Sequence, residues 1–90
     1  MPKLIFTDSY EKRAKKFLKQ HPELKDQYTK ILKLLSINPS HASLKLHRLQ
    51  GKLSMLHGTS INYSYRITLQ FIIKSDQIIP IDIGKYDEVY

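Results

Sequence analysis

The spacing of the apolar residues changes once along this 90-residue chain, near residue 43. Before that point apolar side chains recur every three or four residues, which is the spacing of an amphipathic helix. After it they alternate with polar side chains, which is the spacing of a strand with one buried face. A chain of this length has room for one domain, here residues 1–90, so both halves must share one core. The pattern therefore predicts an α+β fold with helices packed on one face of a sheet.

Two helices are predicted in the first half of the chain, after a short strand at residues 4–7. Asp8 and Glu11 have the three-residue spacing of a capping box, so Asp8 should cap the first helix. Pro22 is suited to the first turn of the second helix, and Pro39 disfavours helical backbone just before it. The apolar residues that define the two helical faces are Tyr10, Ala14, Phe17 and Leu18, then Leu24, Tyr28, Ile31, Leu32 and Leu35.

Three strands are predicted in the second half, at residues 56–61, 65–73 and 77–83. In the middle strand Arg66, Thr68 and Gln70 alternate with apolar residues, so they should share the face opposite the core. Pro80 has no N–H to donate to a neighbouring strand, so it belongs at a sheet edge or a bulge. The predicted order is β-α-α-β-β-β, a helical hairpin packed on a small, mainly antiparallel, four-stranded sheet. The second face of that sheet is a candidate working surface.

Positive charge is concentrated in the first 52 residues. They hold 12 Lys and Arg against 4 Asp and Glu, a net charge of +8, whereas residues 53–90 hold 3 against 4, a net charge of −1. Such an uneven field attracts polyanions, and RNA, DNA, an anionic membrane surface and an acidic protein all fit. The basic face of the first predicted helix consists of Lys12, Arg13, Lys15, Lys16 and Lys19.

Several kinds of chemistry are disfavoured by what the sequence lacks. There is no cysteine, so a disulfide scaffold, a cysteine-ligated zinc site and a thiol nucleophile are excluded. His41, His47 and His57 do not have the spacing typical of zinc ligands. Neither a G-x-S-x-G motif nor a glycine-rich phosphate loop is present, and no cofactor is predicted. No apolar run approaches the roughly 20 residues of a membrane span, and the first residues do not form a secretory signal, so we expect a cytoplasmic protein.

A group of cationic and aromatic residues has the functional groups to cleave RNA without a metal. Attack of a ribose 2′-hydroxyl on its phosphate needs a base, cations beside the phosphorane and an acid for the leaving 5′-oxygen. Histidine, lysine, arginine and tyrosine supply these functions, and tyrosine also stacks on bases. Taken singly, each residue is better explained as a surface charge or a packed aromatic. The group comprises Lys45, His47, Arg48, Lys52, Arg66, Tyr86 and Tyr90.

Three segments of the second half resemble the RelE/ParE superfamily of bacterial toxins. They are 46–53 (LHRLQGKL), 64–67 (SYRI) and 81–90 (IDIGKYDEVY). The superfamily has a leucine-rich L-x-G segment, a Y-R-I/L strand and a closing I-G-x-H-D-E-V-Y, and its earlier strand and helices match the predicted ones. The resemblance implies a RelE/ParE-like fold and the toxin of a type II toxin–antitoxin module. The implied partners are a cognate antitoxin and, only through the antitoxin complex, operator DNA; no membrane is implied.

The resemblance also implies roles for single residues. Arg66 matches the strand arginine that stabilises the transition-state phosphate in the ribonuclease members. His47 matches a histidine that some members carry before the L-x-G segment. Lys45 and Lys52 fall in the region where RelE-like members use lysines. The first two matching segments, 46–53 and 64–67, therefore both imply a ribonuclease site.

The end of the chain departs from the superfamily pattern. Tyr86 stands where many members have a catalytic histidine, and a phenol with an ordinary pKa of about 10 relays protons less well at pH 7. Ser60 stands where many members have another basic residue, so phosphate stabilisation should be weaker. Tyr90 matches the terminal aromatic that helps to position the nucleotide. The departures at positions 60 and 86 imply either a ribonuclease of lowered activity or one in which His47 and the lysines contribute more of the catalysis.

The superfamily contains two activity classes, so more than one function stays open. RelE-like members enter the ribosomal A site and cleave mRNA, whereas ParE-like members poison DNA gyrase. His47 and Arg66 favour a ribosome-dependent mRNA endonuclease, because a gyrase poison needs no proton-transfer set. A catalytically weak relative that binds its antitoxin and a basic RNA-binding domain without catalysis are also possible functions. The predicted catalytic residues are His47, Arg66, Tyr86 and Tyr90, and the predicted RNA-binding residues are Lys12, Arg13, Lys16, Lys45, Arg48 and Lys52.

Overall fold

A computed structural model describes residues 2–51 and 55–85 of the chain. Its elements are β1 (Lys3–Leu4), α1 (Asp8–Gln20), α2 (Lys25–Ile37), β2 (His47–Arg48), β3 (His57–Ser60), β4 (Tyr65–Ile72) and β5 (Gln77–Lys85). The strands form one mixed sheet in the order β1-β5-β4-β3-β2. The first strand pairs with the last in parallel, and all other pairs are antiparallel. The predicted α+β fold is thus confirmed, although the sheet formed by these residues has five strands instead of four.

The additional strand is β2, which forms one edge of the sheet. His47 pairs with Gly58, and Arg48 pairs with His57. The N–H of Leu49 then donates to the carbonyl of Leu56 at 2.9 Å. Two exposed residues cannot display an alternation of apolar and polar side chains. The prediction of four strands is therefore wrong. β2 is defined by its pairing with β3, which the sequence pattern does not reveal.

Thr7 caps the start of α1, so the predicted capping by Asp8 is wrong. The side-chain oxygen of Thr7 accepts a hydrogen bond from the N–H of Tyr10 at 3.2 Å. Asp8 and Glu11 instead lie in the first turn of α1, where carboxylates oppose the helix dipole favourably. The first strand, predicted at residues 4–7, is Lys3–Leu4, and Thr7 is the helix cap instead of a strand residue.

Three prolines mark breaks in the regular elements. Pro22 begins a 3₁₀ turn, Pro22–Leu24, and α2 starts only after it, which is later than predicted. α2 ends at Ile37, just before Pro39, as predicted. Pro80 lies beside a β-bulge between β4 and β5, which confirms the predicted irregularity at this proline.

The core lies between the two helices and one face of the sheet, which we call the inner face. Ile67 and Leu69 of β4 point into this core. Because side chains alternate along a strand, Arg66, Thr68 and Gln70 project from the opposite, outer face, as predicted. The buried core consists of Tyr10, Ala14, Phe17, Tyr28, Ile31, Leu35, Leu44, Ile61, Ile67, Leu69, Ile78 and Ile83.

Two buried tyrosines from different helices share a hydrogen bond in this core. The hydroxyl oxygens of Tyr10 and Tyr28 are 2.9 Å apart, and burial raises the pKa of Tyr10 above its ordinary value. Tyr28→Phe would leave the Tyr10 hydroxyl buried without this bond, so we expect the free energy of unfolding to fall by about 1–3 kcal/mol. The double variant Tyr10→Phe/Tyr28→Phe should be more stable than Tyr28→Phe alone, because no hydroxyl is then left without this partner. Urea denaturation of the wild type and these two variants measures this, and a double variant less stable than Tyr28→Phe would contradict it.

Candidate active site

Three adjacent strands bring His47 and Arg66 together on the outer face, around Gly58. Gly58 of β3 pairs with His47 of β2 and with Thr68 of β4, and residues paired in this way point to the same face of a sheet. A methyl group placed on Gly58 would lie 3.5 Å from Arg66 Nη1 and 3.5 Å from His47 Cε1. The imidazole and the guanidinium therefore lie within about twice that distance of each other. The two groups are thus neighbours on the outer face of the sheet.

The imidazole of His47 has the orientation of a base. Its Nδ1 is 2.9 Å from the carbonyl oxygen of Lys45, and because a carbonyl only accepts hydrogen bonds, Nδ1 carries the hydrogen. In the neutral ring the lone pair is then on Nε2. Lys45 presents its carbonyl from a left-handed backbone conformation, with φ of 47°, and the side chain of His47 is exposed. His47 can thus accept a proton from a group that approaches from solvent.

Arg66 lies on the predicted face but is covered there, so the expectation of an open working surface is wrong at this residue. Arg66 is 3% exposed and Thr68 is 2% exposed, while Gln70 remains exposed. Leu49, which follows β2, also packs on the outer face, with Cδ2 3.2 Å from the same methyl position on Gly58. In such a low-dielectric setting a positive charge acts strongly on its neighbours. Little of Arg66 is open to a phosphate in this conformation.

A second histidine, His57, lies next to Gly58 in β3. Its ring meets the ring of Phe71 edge to face, with centroids 4.8 Å apart. Burial lowers the pKa of His57, and the positive charges of Arg48 and His47 lower it further. Its Nδ1 is buried and has no hydrogen-bond partner among the described residues. The fold therefore stabilises the neutral form of this imidazole.

Because the folded chain favours neutral His57, the stability of the fold should decrease in mild acid. Above the ordinary pKa of 6.5 the ring is neutral in both the folded and the unfolded chain. As the pH falls below that value, the unfolded chain binds a proton that the folded chain does not yet bind. We therefore expect the free energy of unfolding to decrease below pH 6.5, and His57→Gln to flatten this decrease. Urea denaturation across this pH range measures it, and an identical pH profile for the variant would contradict the prediction.

The remaining predicted RNA-binding residues are divided between two surfaces. Lys45, just before β2, and Arg48, within it, are both exposed. Because side chains alternate along a strand, Arg48 points to the face of the sheet opposite His47. The basic residues of α1 are exposed on the helix layer, so the structure does not bring them to His47. Asp82 of β5 lies 3.4 Å from one of them, Arg13. The exposed basic residues of this helix are Lys12, Arg13, Lys15, Lys16 and Lys19.

A groove of about 480 Å³ opens between the end of α1 and the ends of β4 and β5. It is lined by the cations Arg13, Lys16 and Lys85, and by the rings of His21 and Tyr65, whose centroids are 4.7 Å apart. Neither His47 nor Arg66 lines it. Sequence reasoning misses this groove because its residues come from separate elements and form no motif.

Three predicted site residues lie outside the described part of the chain: Lys52, Tyr86 and Tyr90. Within the described part, no three histidine or carboxylate side chains are grouped so that they could hold a metal ion. No helix of residues 2–51 and 55–85 is both long enough and apolar enough to span a membrane.

Solved structures share the fold of this chain from end to end. The crystal structure of YafQ from E. coli strain BL21(DE3) matches with a TM-score of 0.80 and 13% identity, covering 100% of this chain and 99% of YafQ. The chain has the fold of YafQ. The E. coli DinJ–YafQ toxin–antitoxin complex matches with a TM-score of 0.78 and 14% identity, covering 99% of this chain and 97% of the matched chain. The YoeB/ParE toxin from Agrobacterium tumefaciens matches at 0.73 and 13%, covering 93% and 98%.

These matches confirm the predicted RelE/ParE-like fold. No family model and no curated protein matches the sequence. The likeness is therefore one of backbone architecture, and it places the β2, β3 and β4 strands of this chain in a YafQ fold. What these strands can do chemically follows from their own side chains.

Gly58 is the site residue that sequence reasoning overlooks. It lies within the predicted strand 56–61, where a glycine indicates a bulge or the close approach of another group. That signal could have identified it as the place where His47 and Arg66 meet. In this YafQ fold, a larger residue at position 58 would occupy the space between the two side chains.

Proposed function

We propose that this chain is the toxin of a type II toxin–antitoxin module and that it cleaves mRNA on the ribosome. The observation that carries the proposal is the meeting of His47 and Arg66 at Gly58, on the outer face of a YafQ fold. General base and phosphate-binding cation are the two functions that cleavage by a 2′-hydroxyl needs first. This chemistry proceeds through proton transfers and needs no metal.

In the proposed reaction, Nε2 of His47 takes the proton of the ribose 2′-hydroxyl. The 2′-oxygen attacks the adjacent phosphorus, and Arg66 stabilises the negative charge that develops on the phosphorane. The bond from phosphorus to the 5′-oxygen then breaks, and an acid protonates that oxygen. Tyr86 is the proposed acid and Tyr90 the proposed stacking platform. The products are an RNA end with a 2′,3′-cyclic phosphate and an RNA end with a 5′-hydroxyl.

The covered position of Arg66 bears on when the enzyme is active. With 3% of its surface exposed, Arg66 offers a phosphate little access until the side chains around it shift. We propose that docking on the ribosome supplies the binding energy for this shift, because binding energy from remote contacts can drive rearrangement at the reacting centre. Free RNA would then be a poor substrate compared with mRNA on the ribosome.

The basic surfaces are the proposed docking contacts. Phosphate contacts from exposed lysine and arginine give affinity without sequence preference. We propose that the exposed basic face of α1 binds ribosomal RNA, while the cations near β2 bind the mRNA. The proposed contacts are Lys12, Arg13 and Lys16 for the former and Lys45, Arg48 and Lys52 for the latter.

A cognate antitoxin is the proposed protein partner, by analogy with YafQ, which is bound to DinJ in the E. coli complex. Operator DNA would be bound only by the toxin–antitoxin complex. A ribosome-directed enzyme of this kind acts in the cytoplasm. An antitoxin that covers Arg48 and His47 would block the proposed site without entering it.

A second candidate is a catalytically weak relative that serves mainly to bind its antitoxin. The burial of Arg66 and the serine at position 60 favour it, since both reduce the cationic charge that a phosphate would meet. Two parallel assays of the purified chain separate these two functions from each other and from gyrase poisoning. We expect loss of full-length mRNA in a ribosome-containing translation reaction, with no change in DNA supercoiling by gyrase. Gyrase inhibition with intact mRNA would overturn the proposal, and inactivity in both assays would favour the weak relative.

A further inference from the structure

The aromatic ring of Tyr63, at the turn between β3 and β4, is exposed to solvent. Tyr63 is 97% exposed, although tyrosine normally buries much of its ring. The turn itself is well fixed, because Oδ1 of Asn62 accepts hydrogen bonds from the N–H groups of Ser64 at 2.9 Å and Tyr65 at 3.0 Å. The N–H of Ile61 also donates to the carbonyl of Tyr65 at 2.9 Å. The ring is therefore presented to solvent from a defined backbone position.

A pocket of about 270 Å³ lies beside this ring. It is lined by Ser43, Lys45, Ser60, Ile61, Asn62 and Tyr63. Its lining thus combines three hydroxyl or amide side chains with one lysine, one isoleucine and one aromatic ring. A flat, polar-edged ring that carries a phosphate would find a stacking surface, hydrogen-bonding groups and a cation in the same place.

The pocket adjoins the candidate active site through two of its residues. Ser60 pairs directly with Arg66 across β3 and β4. The carbonyl of Lys45 binds Nδ1 of His47 at 2.9 Å. A nucleotide whose phosphate reached Arg66 would therefore have its base, or that of its neighbour, close to Tyr63.

We propose that this pocket binds a nucleobase next to the cleaved phosphate, with the ring of Tyr63 as its stacking platform and Lys45 beside its phosphate. The inference rests on the proposed function, and it adds a single-stranded RNA subsite to it. RNA fits better than a protein segment, because a protein interface needs a cluster of apolar or aromatic anchors. Around Tyr63 the lining offers only Ile61, which is itself buried in the core.

The first test compares cleavage by Tyr63→Ala, Tyr63→Phe and Ile37→Ala in a ribosome-containing reaction. Ile37 is an exposed apolar residue at the end of α2 and serves as the matched control. We expect Tyr63→Ala to cleave about tenfold more slowly at low mRNA concentration, within the range that loss of a base-stacking aromatic costs. Tyr63→Phe and Ile37→Ala should cleave at the wild-type rate. Because Tyr63 is exposed, all variants should melt at the wild-type temperature.

The second test measures stacking without cleavage. The mRNA carries 2-aminopurine in the A-site codon and 2′-O-methyl groups that block attack. Wild-type chain should quench the fluorophore on the ribosome, and Tyr63→Ala should lose most of the quenching. Quenching that depends on Tyr63, with no cleavage of unmodified mRNA by the wild type, would support the subsite and refute the proposed function. Normal cleavage and normal quenching by Tyr63→Ala would overturn the subsite. If Tyr63→Ala cleaved normally but no longer bound the antitoxin, Tyr63 would be a protein contact, and the subsite would be overturned as well.

Discussion

Replacing Arg66 with alanine should slow mRNA cleavage on the ribosome by about 100- to 1,000-fold, the range found when one transition-state charge contact is removed. The loss should fall on the rate at saturating substrate, because the proposed contact strengthens as charge develops on the phosphorane. Arg66→Lys should recover only part of the rate, since an ammonium cannot present two parallel N–H groups to a phosphate. Single-turnover cleavage of a defined mRNA on purified ribosomes measures these rates.

The burial of Arg66 requires a control for folding. Arg66→Met keeps much of the length and the apolar stem of the side chain while removing the charge, so it should fold and still fail to cleave. Lys74→Ala removes an exposed cation from the turn before β5 and should cleave at the wild-type rate. If Arg66→Met melts like the wild type and cleaves at the same rate, the guanidinium has no part in the reaction.

Replacing His47 with alanine should slow cleavage by about 100-fold or more, the usual contribution of a general base. His47→Gln retains a side-chain N–H that can donate to the Lys45 carbonyl but has no basic nitrogen, so it should be as slow as His47→Ala. Single-turnover cleavage rates of the wild type and the two variants test this.

Chemical rescue separates a base from a residue that only positions others. His47 is exposed, so added imidazole should enter the gap left by His47→Ala and restore part of the rate. No rescue, together with a normal rate for His47→Gln, would mean that the hydrogen bond to Lys45 matters and that the proton is taken by another group.

The sequence predicts those parts of the fold that repeat a spacing over several residues. The helical spacing locates α1 and α2, and the alternation from Tyr65 onwards locates β4 and assigns Arg66 to the outer face. The helix cap is different, because Thr7 and Asp8 are adjacent and both able to cap. Only the backbone geometry decides between them.

The candidate site depends on contacts between distant segments, which spacing does not reveal. His47 and Arg66 meet because β2 pairs with β3 in one register and β3 pairs with β4 in another. The same pairing brings Leu49 onto the outer face beside Gly58, where Arg66 is 3% exposed. Alternation along β4 correctly predicts the direction of the Arg66 side chain, but its burial depends on what packs against that face, and β2 is too short to have a pattern.

Mapping of RNA ends decides whether this surface is a ribonuclease site. Purified wild-type chain, Arg66→Met and His47→Ala are each added to ribosomes that carry a defined mRNA, and to the same mRNA without ribosomes. We expect new 5′-hydroxyl and 2′,3′-cyclic phosphate ends only with ribosomes and the wild-type chain, and few or none with either variant. Intact mRNA with the wild-type chain, or equal cleavage by folded Arg66→Met, would contradict the proposal.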